Sequence, residues 1–100
     1  MTLYVITAVQ FGSSGDVERV KWARVDGMAN KFEEEPHVVE LHRVIETFDR
    51  GDIVELVFPS THGNVSGGRV VRKVLPSGHE TIVEEKQAEG RMLKDMPSFS

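Results

Sequence analysis

The chain has 100 residues, of which 39% are hydrophobic and 28% charged, and its formal net charge is -4 at pH 7. These values exclude a disordered polyelectrolyte and predict one globular domain that buries a core. The mild acidity argues against a dedicated nucleic-acid binder, and the absence of cysteine excludes disulfides, thiolate metal sites and thiol nucleophiles.

The first residues, Met1 to Thr7, lead directly into a strand-like pattern without the charged leader and apolar block of a secretory signal. No apolar run in the sequence reaches the ~20 residues that a membrane-spanning helix needs. We therefore expect a soluble, cytoplasmic protein that does not contact a membrane.

A β-hairpin is predicted at the start of the chain. The segment Leu3 to Phe11 is rich in β-branched and aromatic residues, and strict alternation would place Leu3, Val5, Val9 and Phe11 on the same side. The turn residues of 12–16 then lead into a second strand over 17–25.

The second strand has one apolar and one basic side. Val20 and Trp22 share one side, and Arg19 and Lys21 share the other. The pleat therefore predicts that the tryptophan points into the core and the two cations point into water.

One amphipathic helix is predicted from Pro36 to Arg50. Proline suits the first turn of a helix, and Gly51 supplies a left-handed end. Apolar residues recur between them at spacings of three and four: Val38, Leu41, Ile45 and Phe48. This spacing is typical of a helix with one buried side.

The second half of the chain predicts three strands and a loop. Residues 52–58 form a dense apolar strand, and 59–68 have the composition of a long loop. Residues 69–75 and 79–85 flank a Pro-Ser-Gly turn and are predicted to form a hairpin.

The predicted fold is a single α+β domain over residues 1–100. A mostly antiparallel sheet of about five strands, in the chain order β-β-α-β-β-β, packs on the one amphipathic helix. Leu93, Met96 and Phe99 have helical spacing, but the nearby Pro97 allows only a short turn. Residues 87–100 are therefore predicted to be a weakly docked tail.

The histidines do not form a metal motif. His37 and His42 are five residues apart, whereas two imidazoles on one side of a helix are separated by one turn. No triad spacing is visible, and the glycines of 63–68 run into a strand, unlike a phosphate-binding loop. The sequence predicts no catalytic residue, no metal and no cofactor.

A predicted loop and a set of strand cations are the candidate binding residues. The loop offers Ser60, Thr61, His62 and Asn64 to a ligand or partner. The strands offer a basic surface: Arg19, Lys21, Arg69 and Lys73. Strand alternation turns the side chain of Arg72 to a different face from that of Arg69, so the cations do not all share one surface. No aromatic residues are interleaved with them either. Both observations disfavour nucleic-acid binding.

The chain resembles a family of small bacterial single-domain proteins that is catalogued as a domain of unknown function. The residues that carry the likeness are Tyr4–Val9, Val20–Trp22, Gly51–Asp52 and Leu93–Pro97. The resemblance implies a bacterial, stand-alone domain and supplies no activity, cofactor or catalytic residue.

These observations favour a non-enzymatic module that binds a protein or self-associates through a sheet face or edge that the single helix leaves uncovered. A small-ligand binder or small enzyme that uses the loop of residues 60–68 is one alternative. A nucleic-acid accessory factor that uses the basic surface is another.

Overall fold

The computed structural model describes residues 2–26, 31–60, 63–86, 90 and 92–99, and at 31, 59, 60 and 63–66 it describes the backbone alone. The elements are β1 (Leu3–Phe11), β2 (Val17–Asp26), β3 (Lys31–Phe32), β4 (His37–Glu40), α1 (Leu41–Asp49), β5 (Ile53–Ser60), β6 (Gly63–Val74) and β7 (Glu80–Glu84). A 3-10 helix, Leu93–Asp95, follows.

The strands form one sheet in the order β3-β2-β1-β5-β6-β7, and β4 also pairs with β2. The seven strands therefore occupy six positions across the sheet. Only the pairing of β1 with β5 is parallel among these strands, and the other pairings are antiparallel. The predicted α+β fold, with a mostly antiparallel sheet and one helix, is confirmed with more strands than expected.

The alternation of side chains along β1 is interrupted by a β-bulge. The register of β1 on β2 shifts between Ile6 and Ala8, which makes Thr7 the extra residue. One extra residue resets the period of two, so Val5 and Val9 lie on opposite faces. The prediction that they share a face is wrong for this reason.

Helix α1 begins at Leu41 and not at Pro36. Residues 37–40 form β4 instead, and they pair with β2 along the edge that β1 does not occupy. The apolar spacing cannot reveal this pairing, because the hydrogen-bond partners are distant in sequence. The predicted end of the helix is confirmed, since Gly51 follows it with a left-handed φ of 78°.

The core lies between α1 and one face of the sheet. The helix contributes Val44 and Ile45, and Trp22 is only 4% exposed, as predicted. The strands contribute Ile6, Val9, Val17, Val20, Trp22, Val54, Leu56, Val70 and Ile82. Burial of each such side chain stabilises the fold by about 1.5–3 kcal/mol, so this single layer is the main stabilising feature.

The predicted loop over 59–68 is largely strand. β5 continues to Ser60 and β6 starts at Gly63, and these two residues are paired across the hairpin. The glycine-rich composition does not indicate a loop here, because the glycines lie within a strand of the sheet.

A second β-bulge explains the glycine pair in β6. The register shifts opposite Leu56, which makes Gly67 the extra residue. A Cβ on Gly67 would overlap the ring of Phe58, and Gly68 has a φ of 95° that other residues rarely adopt. Each glycine is therefore required for a different reason.

The C-terminal segment supplies part of the core. Leu93 and Met96 are each 6% exposed and join the buried cluster, and the predicted short helical turn is present. The backbone N–H of Val9 donates to the Pro97 carbonyl at 2.9 Å, and the Phe99 N–H donates to the Val9 carbonyl at 3.2 Å. These contacts show where the segment lies and not how strongly it is held. The weak docking predicted for residues 87–100 therefore stays a prediction.

Candidate functional site

The face of the sheet opposite α1, which we call the outer face, carries a row of apolar residues. Leu3 is paired with Val25 on one side and with Ile53 on the other, and Val25 is paired with Phe32. Val25 is three residues from the inward-pointing Trp22, so the row points away from α1. We call these four residues the apolar row: Phe32, Val25, Leu3 and Ile53.

Further apolar side chains extend the outer face beyond the row. Val38 lies opposite Lys21 on the neighbouring strand, and Val71 lies opposite Val83. Phe32 is 38% exposed and Val38 is 50% exposed, although both are large hydrophobic residues. The other residues of the row are half-buried, as are Val71 and Val83, so Phe32 and Val38 are the exposed part of this apolar surface. Exposed apolar surface marks interaction sites in proteins of this size.

The structure brings the predicted basic residues onto the outer face. They are Arg19, Lys21, Arg69 and Lys73. The first two flank the inward Val20 on β2, and Arg69 precedes the inward Val70 on β6. β1 and β5 separate the two pairs of cations by three strand spacings, about 14 Å. The cations therefore border the apolar surface on two sides and do not form one patch.

Two arginine–carboxylate contacts show which way the β6 cations point. Arg69 Nε lies 4.0 Å from Glu55 Oε2 on the outer face. Arg72 instead points to the helix side, where its Nη1 donates to Asp49 Oδ1 at 2.8 Å. The expectation that Arg72 faces away from Arg69 is confirmed.

Aromatic residues are mostly on the helix side. Tyr4 and Trp22 stack there with ring centroids 4.2 Å apart. Among the described strand residues, Phe32 is the one aromatic that the pairing places on the outer face. The outer face therefore does not offer the series of stacking platforms on which single-stranded nucleic acids bind.

The residues of the predicted ligand loop are distributed along a hairpin. Ser60 is the last residue of β5, and Asn64 lies in β6 opposite Pro59. Thr61 and His62 lie outside the described residues. Their role in ligand binding stays a prediction.

A cleft of about 450 Å³ lies between α1 and the turn that joins β6 to β7. Its lining consists of Leu41, His42, Ile45, Glu46, Gly78, His79 and Glu80. The sequence gives no signal for this cleft, because its lining comes from two segments, 41–46 and 78–80, that are more than 30 positions apart. His42 Nδ1 lies 3.2 Å from Glu40 Oε2, and both side chains are exposed. In the part of the chain that the structure describes, no three His, Asp or Glu residues could hold a metal ion.

Comparison of the chain with protein-family models, with curated proteins and with solved structures gives no match. The likeness to the small bacterial family therefore stays a prediction. Within the described residues, no helix is long and apolar enough to cross a membrane.

Proposed function

We propose that the protein is a non-enzymatic interaction module that binds a protein partner through its outer face. The observation that supports this proposal is the apolar row bordered by cations on the face opposite α1. Covering the exposed Phe32 and Val38 would remove apolar area from water at about 25 cal/mol per Å². A partner surface that covers these two side chains would therefore gain binding free energy.

The charges indicate the chemistry of the partner. The outer face carries four cations, of which Arg19 is paired with Glu40 and Arg69 with Glu55, whereas Lys21 lies opposite Val38 and Lys73 opposite Thr81. A symmetric dimer through this face would place two identical surfaces against each other, each with the surplus positive charge of Lys21 and Lys73. A partner that presents apolar side chains flanked by carboxylates avoids this repulsion and gains complementary pairs.

A protein partner fits the outer face better than a nucleic acid does. A nucleic-acid surface needs cations that follow a phosphate backbone, but here Val5 on β1 and Glu55 on β5 lie between the two pairs of cations. The stacking rings of Tyr4 and Trp22 are on the other side of the sheet. Protein interfaces combine an apolar centre with a polar rim, and arginine is enriched in them.

The test compares capture by two charge variants. The outer-face variant carries Lys21→Glu and Arg69→Glu, and the control carries the same charge change at Arg43→Glu and Lys94→Glu, which are exposed on α1 and the 3-10 helix. A partner retained by wild type is identified by mass spectrometry and purified, and its affinity for all three proteins is measured by calorimetry. We expect the outer-face variant to bind at least roughly tenfold more weakly and the control to bind like wild type.

Two further measurements separate the alternatives. Light scattering after size exclusion reports self-association, and gel retardation at low salt reports binding to oligonucleotides, since the ionic contribution is strongest there. A partner bound equally by the outer-face variant would contradict the proposal. Retardation of oligonucleotides that the outer-face variant loses would favour the nucleic-acid alternative instead.

A further inference from the structure

Strand β7 is an edge of the sheet and pairs with β6 alone among the described strands. The Glu85 N–H donates to the Arg69 carbonyl at 2.9 Å, and the Leu75 N–H donates to the His79 carbonyl at 2.7 Å. Hydrogen-bonded pairs alternate in an antiparallel ladder, so Thr81 and Val83 are the β7 residues bonded to β6.

The alternate residues of β7 turn their backbone groups away from the sheet. They are Glu80, Ile82 and Glu84. Within the described ranges, no backbone group is bonded to the outward N–H and C=O groups of these three residues. Such an edge is a template for a further strand, because each unpaired group can gain a hydrogen bond.

The side chains of these same three residues point to the helix side, and two of them are acidic. Ile82 is buried, and the carboxylates of Glu80 and Glu84 stand on either side of it along the strand. Glu84 Oε1 also accepts the Leu93 N–H at 2.5 Å, which fixes this carboxylate at one end of the edge. A strand added here would therefore meet negative charge at both ends.

We infer that β7 binds an extended basic peptide segment as an additional strand of the sheet. The segment has basic residues opposite Glu80 and Glu84 and an apolar residue between them, opposite Ile82. Opposite charges directly across a strand pair stabilise it, and the main-chain bonds supply the rest of the affinity.

The cleft beside β7 accommodates one of the basic side chains. Glu80 lines both the edge and the cleft, and Leu41 and Ile45 form the apolar part of its lining. A lysine opposite Glu80 can lay its methylene chain on these apolar residues and set its ammonium group between Glu80 and Glu46. The cleft thus gives specificity for a long cation at this position.

A second copy of the chain does not fit this edge. Antiparallel pairing of two β7 strands about Ile82 sets Glu80 of one copy opposite Glu84 of the other, and parallel pairing in register sets each glutamate opposite itself. Like charges directly opposite are destabilising in a sheet. The edge is therefore protected against self-pairing and open to a basic strand.

The experiment uses the synthetic peptide Thr-Lys-Thr-Val-Thr-Lys-Thr and a matched peptide with glutamate in place of both lysines. Amide hydrogen exchange is followed by NMR on the full chain. We expect the lysine peptide to slow exchange at Glu80, Ile82 and Glu84 and to leave Thr81 and Val83, which already bond to β6, unchanged. Absence of this alternating protection, or equal binding of the glutamate peptide, overturns the inference.

Charge variants of the full chain complete the test. Glu80→Lys should weaken binding of the lysine peptide roughly fivefold and strengthen binding of the glutamate peptide. Glu18→Lys, an equal charge change near the β1–β2 turn, should leave both affinities unchanged, as should the Lys21→Glu and Arg69→Glu variant of the outer face. An unaltered affinity in Glu80→Lys, with a native NMR spectrum, also overturns the inference, while the proposed function of the outer face is unaffected.

Discussion

The ring of Tyr4 on β1 stacks on the indole of Trp22 on β2, with centroids 4.2 Å apart and ring planes inclined by 16°. Trp22 is paired directly with Ile6, so Tyr4 reaches it diagonally across the strand pair. The stack lies on the helix side, where it joins the central hairpin to the core under α1. Aromatic pairs of this kind contribute about 0.5–1.5 kcal/mol beyond the area they bury.

Trp22→Ala should lower the free energy of unfolding by about 3–5 kcal/mol, because it removes both the buried indole and the stack. For a domain of this size, the melting temperature should fall by more than ~10 °C. Urea unfolding measures the change, and Trp22→Phe is the control, since it retains an aromatic ring and should lose less. An unchanged melting curve for the alanine variant would show that the indole is not part of the core.

Gly67→Ala should destabilise the protein by about 1–3 kcal/mol, because its methyl group would overlap the Phe58 ring. The double variant with Phe58→Ala removes that ring. Its loss of unfolding free energy should therefore be smaller than the sum of the losses in the two single variants. A double-mutant cycle in urea measures this coupling. Strict additivity would mean that the ring of Phe58 does not lie over Gly67.

The sequence predicted the elements whose signals are local. β1 has the predicted bounds, Leu3–Phe11, because β-branched composition and a following turn define it without reference to the rest of the chain. The inward position of Trp22 and the end of the helix at Gly51 follow from alternation and from a cap, which are also local.

Features that depend on strand pairing could not be predicted in the same way. The pair Val38 and Val39 fits a helix as well as a strand, and only the available edge of β2 makes it β4. The apolar row requires Leu3 to lie between Val25 and Ile53, and that order of strands is a tertiary property. The glycines of β6 did carry a usable signal, since paired glycines before a strand pattern indicate a bulge.

Thr47→Val should change the free energy of unfolding by no more than about 1 kcal/mol, although Thr47 is fully buried. Its hydroxyl donates to the Val44 carbonyl at 2.5 Å, within its own helix. That carbonyl also accepts the regular helical bond, so removal of the hydroxyl leaves no orphaned acceptor. Thr47→Ala should lower the free energy of unfolding by more, as measured by calorimetry, because it also leaves a cavity. Equal losses in the two variants would show that the hydroxyl is the important group.

Leu93→Ala tests how firmly the C-terminal segment is held. Leu93 is buried in the core cluster, and its N–H donates to Glu84, so the segment is attached both by an apolar side chain and by its backbone. Truncation of the side chain should lower the free energy of unfolding by about 2–4 kcal/mol. Lys94→Ala is the matched control, because Lys94 occupies the same 3-10 helix and is exposed.

The two variants distinguish weak from firm docking. If the segment were only loosely attached, it would separate from the core at little cost, and Leu93→Ala would unfold in urea like Lys94→Ala. If it is an integral part of the core, Leu93→Ala should also speed amide exchange at Val9 and Phe99, whose backbone bond joins the segment to β1. We expect the second result, because Leu93 and Met96 are both buried in the core cluster and an alanine cannot fill the space that the leucine occupies.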